Sequence, residues 1–242
     1  MQNLRVFDVA GHEQPRERIT RMNFAAETLA AYERWAPLYP PVPHNPLMRA
    51  EQQAMLEHWP KVAGLRALDL ACGTGRYSQL LADANAAEVV AMDFCVPMLM
   101  QVPVGKRVCA SMMHLPFAAD TFDVVISGLA LGHAADVHPW MAEIARVLRP
   151  GGTLLYSDFH PEASRAGLTR SFKDQDDQTC LVPHRYFDLE TQLEAATAAG
   201  LRIDALHEIR VDGDLREAFP KSEEFYRRWA GQPIVLVVRA RK

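Results

Sequence analysis

Between residues 66 and 160 short apolar runs alternate with helical stretches, and this rhythm limits the fold more than any other feature. The runs are RALDLAC, EVVAMDF, KRVCA, TFDVVIS and GTLLYSDF, with helices predicted over 75–83, 95–101 and 137–148. Runs this short and this apolar suit strands buried on both faces. Strand and helix in alternation then dictate a parallel sheet with helices on both sides. Upstream, 23–37 reads as a helix capped by Asn23 and stopped before Pro37, followed by a stiff Pro-rich connector (39–46) and a second helix over 47–59. Downstream, 161–187 has no clear periodicity and is longer than most connections, which makes it a candidate lid. A helix at 188–199 is followed by strands over 203–211 and 233–241 that flank a helical stretch near 214–229. The expected organisation is a flexible segment 1–22, a helical cover 23–59, and one domain over 60–242 carrying the lid 161–187 as an insertion.

A chain of 242 residues suits one such domain. Its net charge of −4, with no block of five like charges, gives no electrostatic footprint for nucleic acid or anionic lipid. Cys72, Cys95, Cys109 and Cys180 show no zinc spacing and read as reduced thiols. The N-terminus mixes charges of both signs and shows no signal peptide, and the most apolar stretch, VVAMDFCVPMLM, is twelve residues long and holds Asp93. The expectation is a cytoplasmic chain with no membrane and no nucleic-acid partner.

The richest segment is RALDLACGTGRYS. A strand runs into Cys72-Gly73-Thr74-Gly75, and a helix begins at about Gly75. Glycines permit a sharp turn that brings backbone N–H groups against a ligand, and the helix N-terminus favours an anionic group. One strand later, Asp93 ends EVVAMD, eighteen residues after Gly75, where an acid can accept from both hydroxyls of a ribose. The dinucleotide fingerprint G-x-G-x-x-G has Ser78 at its third glycine position. Asp69, ionisable in the middle of an apolar strand, needs a fixed hydrogen-bonding partner.

Asp69-Leu70-Ala71-Cys72-Gly73-Thr74-Gly75 resembles motif I of the class I S-adenosylmethionine-dependent methyltransferases. The resemblance continues through VVAMDFCVPML, LPFAADTFDVVIS and MAEIARVLRPGGTLLYSDF, in the order and spacing of the type 11 subgroup that includes ubiquinone/menaquinone- and biotin-pathway methyltransferases. It covers about residues 27–160, and the helix AYERWAPLY resembles the subgroup's N-terminal YDxxAxxYD element, with Glu33 and Pro40 in place of the two Asp residues. The resemblance implies a doubly wound, Rossmann-like sheet of seven strands, mostly parallel with the last antiparallel, and S-adenosylmethionine as cofactor. It also implies that Asp69 and the loop Ala71, Cys72, Gly73, Thr74 and Gly75 face the methionine portion, that Asp93 holds the ribose, and that Phe94 lies against the adenine. Where the family usually has an acid for the adenine amino group this chain has Ser111, with Met112 next to it. Ser127, Gly128 and Leu129 would border the methyl-transfer face, and Tyr32 and Tyr39 would close over the methionine end.

The activity so implied is methyl transfer by in-line displacement to oxygen or nitrogen of a small-molecule acceptor. An acidic acceptor O–H or N–H asks for a base of near-neutral pKa, which favours histidine. Asp158 and His160 stand at the end of the fifth strand, where alternation puts both on one side of the chain, and they rank first. His133, after the fourth strand, comes next, while His184, Tyr186 and Arg170 in the lid are substrate-facing candidates. Asp158 with His160 is only part of a divalent-ion set, so no metal is expected. Two readings remain beside the leading one: carboxyl methylation of a carrier-protein-bound acid, met by arginines 165, 170 and 185, and a catalytically silent relative that only binds cofactor. A nicotinamide-dependent reductase is disfavoured by Asp69 and the missing third glycine.

Overall fold

The computed structural model describes residues 6–8, 13–14, 24–213 and 223–242. The expected cap Asn23, most of the segment 1–22, and the stretch 214–222 of the predicted C-terminal helix lie outside these residues.

Within it, seven strands form one sheet: β3 (Arg66–Leu70), β4 (Glu88–Asp93), β5 (Lys106–Cys109), β6 (Phe122–Gly128), β7 (Leu148–Phe159), β10 (Arg202–Arg210) and β11 (Pro233–Arg241). Their spatial order is β10-β11-β7-β6-β3-β4-β5. Pairing is parallel from β5 across to β7, whereas β11 lies antiparallel to both β7 and β10. The doubly wound sheet expected from the apolar runs is therefore present, with the last strand inserted antiparallel between its neighbours. Pro150, Gly151 and Gly152 belong to β7. They lie in its irregular first residues, which pair with β6 at Phe122↔Leu148 and shift register before Val124.

Alternation along the central strands divides the core in two. Leu68, Leu70, Val125, Leu154 and Tyr156 face α5 (Val137–Val147) and α7 (Leu189–Ala198), where Trp140, Met141, Ile144 and Ala195 meet them. Ala67, Val124, Ile126 and Leu155 face the other side, covered by α2 (Pro46–Glu57), α3 (Arg76–Asp83) and α8 (Glu223–Trp229) through Leu47, Met55, Leu81 and Trp229. Period-2 strands between two amphipathic helical layers account for both clusters. Asn45 starts α2 by accepting from the Met48 amide at 2.9 Å, and Asp136 accepts from the His138 amide at 2.9 Å to start α5.

The segment 161–187, expected to lack periodic structure, contains a short helix α6 (Pro161–Arg165) and an antiparallel hairpin of β8 (Leu168–Lys173) and β9 (Thr179–Val182). Its sequence carries an alternation: Leu168, Arg170 and Phe172 are buried, and Thr169, Ser171 and Lys173 are not. The arginine in the apolar row hid the pattern. With β1 (Val6–Asp8) and β2 (Glu13–Gln14) the hairpin makes a second sheet of four strands. Helix α1 (Phe24–Trp35), ending in a single 3-10 turn at Ala36–Leu38, lies against the hairpin, with Trp35 stacked on Phe172 at 4.8 Å and Arg34 paired with Asp174.

Glu51 of α2 is fully buried and ties the helical cover to the sheet. Its carboxylate accepts from Tyr77 and Ser157 hydroxyls, each at 2.6 Å, and from Arg76 at 2.8 Å. Removing one partner of a buried pair leaves the other charged and unsatisfied. Glu51→Ala is expected to lower unfolding free energy by about 3–5 kcal/mol in urea titration; a loss below about 1 kcal/mol would show that the cluster is dispensable.

Candidate active site

The carboxyl ends of β3, β4 and β6 converge on one cavity, where ligands bind in open parallel sheets. It has a volume of about 1180 Å³ counting the space at its mouth. At the end of β3 the chain turns through Ala71 (φ +56°), Gly73 (φ +55°) and Gly75 (φ +86°). A Cβ on Gly73 would meet nothing within 4 Å, so open space lies against this turn of the cavity wall. Gly75 is needed for a different reason: a Cβ there would fall 2.7 Å from Val102. It packs behind the turn and is not among the lining residues.

Asp69 lines the cavity at 1% exposure and accepts from the Ser78 hydroxyl at 2.6 Å. The residue that breaks the dinucleotide fingerprint is thus the partner that a buried carboxylate requires. Burial pushes Asp69 up to about 7, against the hydrogen bonds from Ser78. Asp93 accepts from the Gly73 and Cys95 amides, each at 2.8 Å, and so joins the β3 turn to the end of β4; burial raises its pKa despite these bonds. Phe94, Met92, Met98, Ser111, Met112 and Met113 continue the wall beyond Asp93. Ser111 turns its hydroxyl to the Met113 amide at 3.2 Å.

The opposite wall comes from α1 and from residues after β6. Phe24, Thr28 and Tyr32 follow one another at helical spacing and all line the cavity, as does Tyr39 beyond the helix. Tyr32 donates to His133 Nε2 at 2.8 Å, and His133 Nδ1 donates to the Pro183 carbonyl at 3.1 Å. A carbonyl only accepts, so Nδ1 carries the proton and the Nε2 lone pair faces Tyr32. Burial first, then Arg170 and His184, holds His133 well below the usual histidine value, so the ring is neutral. Arg170 Nη1 donates to the Tyr32 oxygen at 3.2 Å. Tyr32, Tyr39, His133 and Arg170, drawn from four places in the sequence, share this wall.

Several predicted residues lie elsewhere. Asp158 and His160 do not face one cavity, because β7 ends at Phe159 and the alternation ends with it. His160 is buried as the N-cap of α6, accepting from the Glu162 amide at 3.2 Å through Nδ1 and facing Glu208 at 3.1 Å through Nε2. Asp158 lies behind the wall, where it accepts from the Gly132 and Phe159 amides, and burial pushes it up to about 6. Ser127 donates to the Leu70 carbonyl at 3.0 Å, joining β6 to β3, while Gly128 beside it does line the cavity. His184 stands edge-on to Phe159, with its pKa lowered to about 4 by burial and Arg170. Tyr186 is 44% exposed, outside the wall.

The lining also includes Leu129, expected beside Gly128, and Phe24, Thr28, Arg76, Tyr77 and Ala130, which the sequence did not single out. The i, i+4, i+8 row Phe24-Thr28-Tyr32 was the available signal for Phe24 and Thr28. Leu129 takes φ +55°, a conformation that costs a non-glycine residue and gathers at functional sites. Among the described residues no three metal-ligating side chains cluster, and no helix is long and apolar enough to cross a membrane.

A sheet of this order, with one antiparallel strand near its edge and a glycine turn after β3, is the Rossmann-like methyltransferase fold. The profile of the family described as "Methyltransferase domain" (type 11) matches residues 68–156. The chain is 31% identical over 177 residues to malonyl-[acyl-carrier protein] O-methyltransferase of Enterobacter lignolyticus, covering 72% of this chain and 67% of that protein. It is 40% identical over 108 residues to demethylmenaquinone methyltransferase of Renibacterium salmoninarum, covering 41% of this chain and 44% of that protein. Its fold matches an S-adenosylmethionine-dependent methyltransferase of Mesorhizobium loti with TM-score 0.66 and 25% identity, over 80% of this chain and 98% of that one. The chain belongs to the S-adenosylmethionine-dependent methyltransferase family, whose cofactor is S-adenosylmethionine.

Two buried carboxylates at the polar end and a methionine-rich rim suit a ligand with an ammonium, a ribose and a purine. Between the ordinary carboxylate value and about 7, folded Asp69 holds a proton that the unfolded chain has released, so its contribution to stability falls as pH rises through that window. Asp69→Asn is expected to gain Tm relative to wild type from about pH 5 to about pH 8, in cofactor-free protein followed by scanning calorimetry. A difference in Tm that stays constant across that range contradicts the raised pKa. Asp93→Ala is expected to weaken S-adenosylmethionine binding by about 1–3 kcal/mol in calorimetric titration; unchanged affinity removes the ribose contact.

Proposed function

We propose that the chain transfers the S-adenosylmethionine methyl group to oxygen or nitrogen of a small-molecule acceptor, by in-line displacement. The observation that carries this reading is the cavity itself. One wall is made by the family-matched turns, including Asp69, Gly73 and Asp93, and the other by Tyr32, Tyr39, His133 and Arg170. Bound cofactor supplies an activated methyl on a sulfonium. In this reading Asp69 and the residues Ala71 to Thr74 hold its methionine portion, Asp93 its ribose, and Phe94, Ser111 and Met112 its adenine. Gly75 keeps the turn in shape, and Gly128 borders the transfer face.

His133 takes precedence over His160 and Asp158 for proton transfer, because only His133 lines the cavity. Its Nε2 lone pair is engaged by Tyr32, so an acceptor proton passes to the Tyr32 oxygen as the Tyr32 proton passes to His133 Nε2. A histidine held this far toward its neutral form is a weak base, which suits an acceptor that ionises readily. Tyr32 and Tyr39 also keep water from the transfer path. A cytoplasmic setting agrees with the four free cysteines.

The second reading, carboxyl methylation of an acid tethered to a carrier protein, is favoured by the likeness to malonyl-[acyl-carrier protein] O-methyltransferase and by the buried arginine on the cavity wall. Methyl-tritiated S-adenosylmethionine, incubated with protein-free metabolite extract and, separately, with acyl-carrier-protein thioesters, is expected to give a labelled small molecule in the extract. Label reaching only a thioester-linked acid selects the second reading, and tight cofactor binding without any transfer selects a silent relative. With the acceptor found, His133→Ala is expected to lower kcat by about a hundredfold with cofactor affinity unchanged; full rate would take His133 out of the chemistry.

A further inference from the structure

We infer that Arg170 is an anion receptor and that the methyl acceptor is an acid whose carboxylate meets the Arg170 guanidinium, an inference that rests on the methyl-transfer reading. Three arginines of the segment 161–187 are available to meet a carboxylate, and their surroundings separate them. Arg165 pairs with Asp188 at the surface, and Arg185 lies over the Phe24 ring and donates to the Ala134 and Ala135 carbonyls. Arg170 is 8% exposed, sits in the apolar row of β8 between Leu168 and Phe172, and lines the cavity. A guanidinium is costly to bury without matching acceptors.

Those acceptors are incomplete. Nη1 donates to Tyr32, while Nε and Nη2 are buried with no hydrogen-bond partner. Nε and Nη2 form the side edge of the guanidinium, the two-pronged fork that matches a carboxylate. Asp158 Oδ1 stands 3.5 Å from Nη2 as an ion pair without hydrogen-bond geometry, so it neutralises charge without filling the fork. Arg76, the other arginine of the cavity, is a contrast: Glu51 and Gln52 take its N–H groups at 2.8 Å and 3.0 Å, so it is built into the fold. The Phe159 ring lies 4.8 Å from the Arg170 guanidinium and helps to hold its plane.

Position assigns the receptor to the acceptor and not to the cofactor. Arg170 shares its wall with Tyr32 and His133, whereas the cofactor turns belong to β3 and β4. A carboxylate gripped by the fork keeps further lone pairs on both oxygens, so the arginine orients the acid whether its carboxylate or a second group of the same molecule receives the methyl.

Calorimetric titration of the protein with S-adenosylhomocysteine, then with sodium benzoate or benzamide, tests this. S-adenosylhomocysteine heat reports the methyltransferase reading, and benzoate heat reports the receptor, so either can fail alone. Benzoate is expected to bind at least tenfold tighter than benzamide, with Arg170→Met erasing the preference and Arg170→Lys keeping part of it. Equal binding of the two probes, binding of neither, or a preference that survives Arg170→Met overturns the inference. A tenfold loss of S-adenosylhomocysteine affinity in Arg170→Met with Arg170→Lys also weakened assigns the residue to the cofactor and overturns it too. In the labelled-methyl assay, transfer to free or thioester-tethered acids supports the receptor, and transfer only to uncharged acceptors rejects it.

Discussion

The cavity exists because Asp93 holds two turns together. A parallel sheet releases its chain at the carboxyl ends of its strands, and turns there have no ladder to define them. Asp93 supplies the missing definition by accepting from Gly73 on one side and Cys95 on the other. The β3 turn then runs through left-handed conformations with open space against Gly73, and α3 begins directly behind it. Asp69 and Ser78 secure the same turn from below. Everything placed around the cavity is placed relative to this floor.

The cover depends on a different kind of interaction. Glu51 pins α2 to α3 and β7 by charge-assisted hydrogen bonds, whereas α1 is held to the hairpin by Trp35 stacked on Phe172 and by Arg34 paired with Asp174. A single row, Arg170-Tyr32-His133-Pro183, then crosses from the hairpin through α1 to the turn after β6. Each member satisfies the next, which fixes the histidine tautomer and leaves a defined lone pair.

Much of this was legible in the sequence, for physical reasons. Strands buried on both faces leave unbroken apolar runs, so the central sheet could be read directly, and a lone Asp69 among them announced a buried site. What failed had equally definite causes. Alternation was carried one residue too far at Asp158 and His160, because a helix cap at position 160 resets the direction of the side chain. The β8–β9 hairpin was read as aperiodic, because its apolar row contains an arginine. The Arg170, Tyr32 and His133 cluster was invisible as a group, since its members are 37 or more residues apart along the chain and meet only through tertiary packing.

The family profile covers the cavity wall unevenly. Its floor falls within the stretch that matches the family profile, residues 68–156, while Phe24, Thr28, Tyr32 and Tyr39 precede that stretch and Arg170 follows it. Substitutions on α1 or in the hairpin can therefore reshape one half of the chamber without disturbing the turns that Asp93 holds. Exchange of the flanking segments with those of relatives offers a modular route to altered selectivity.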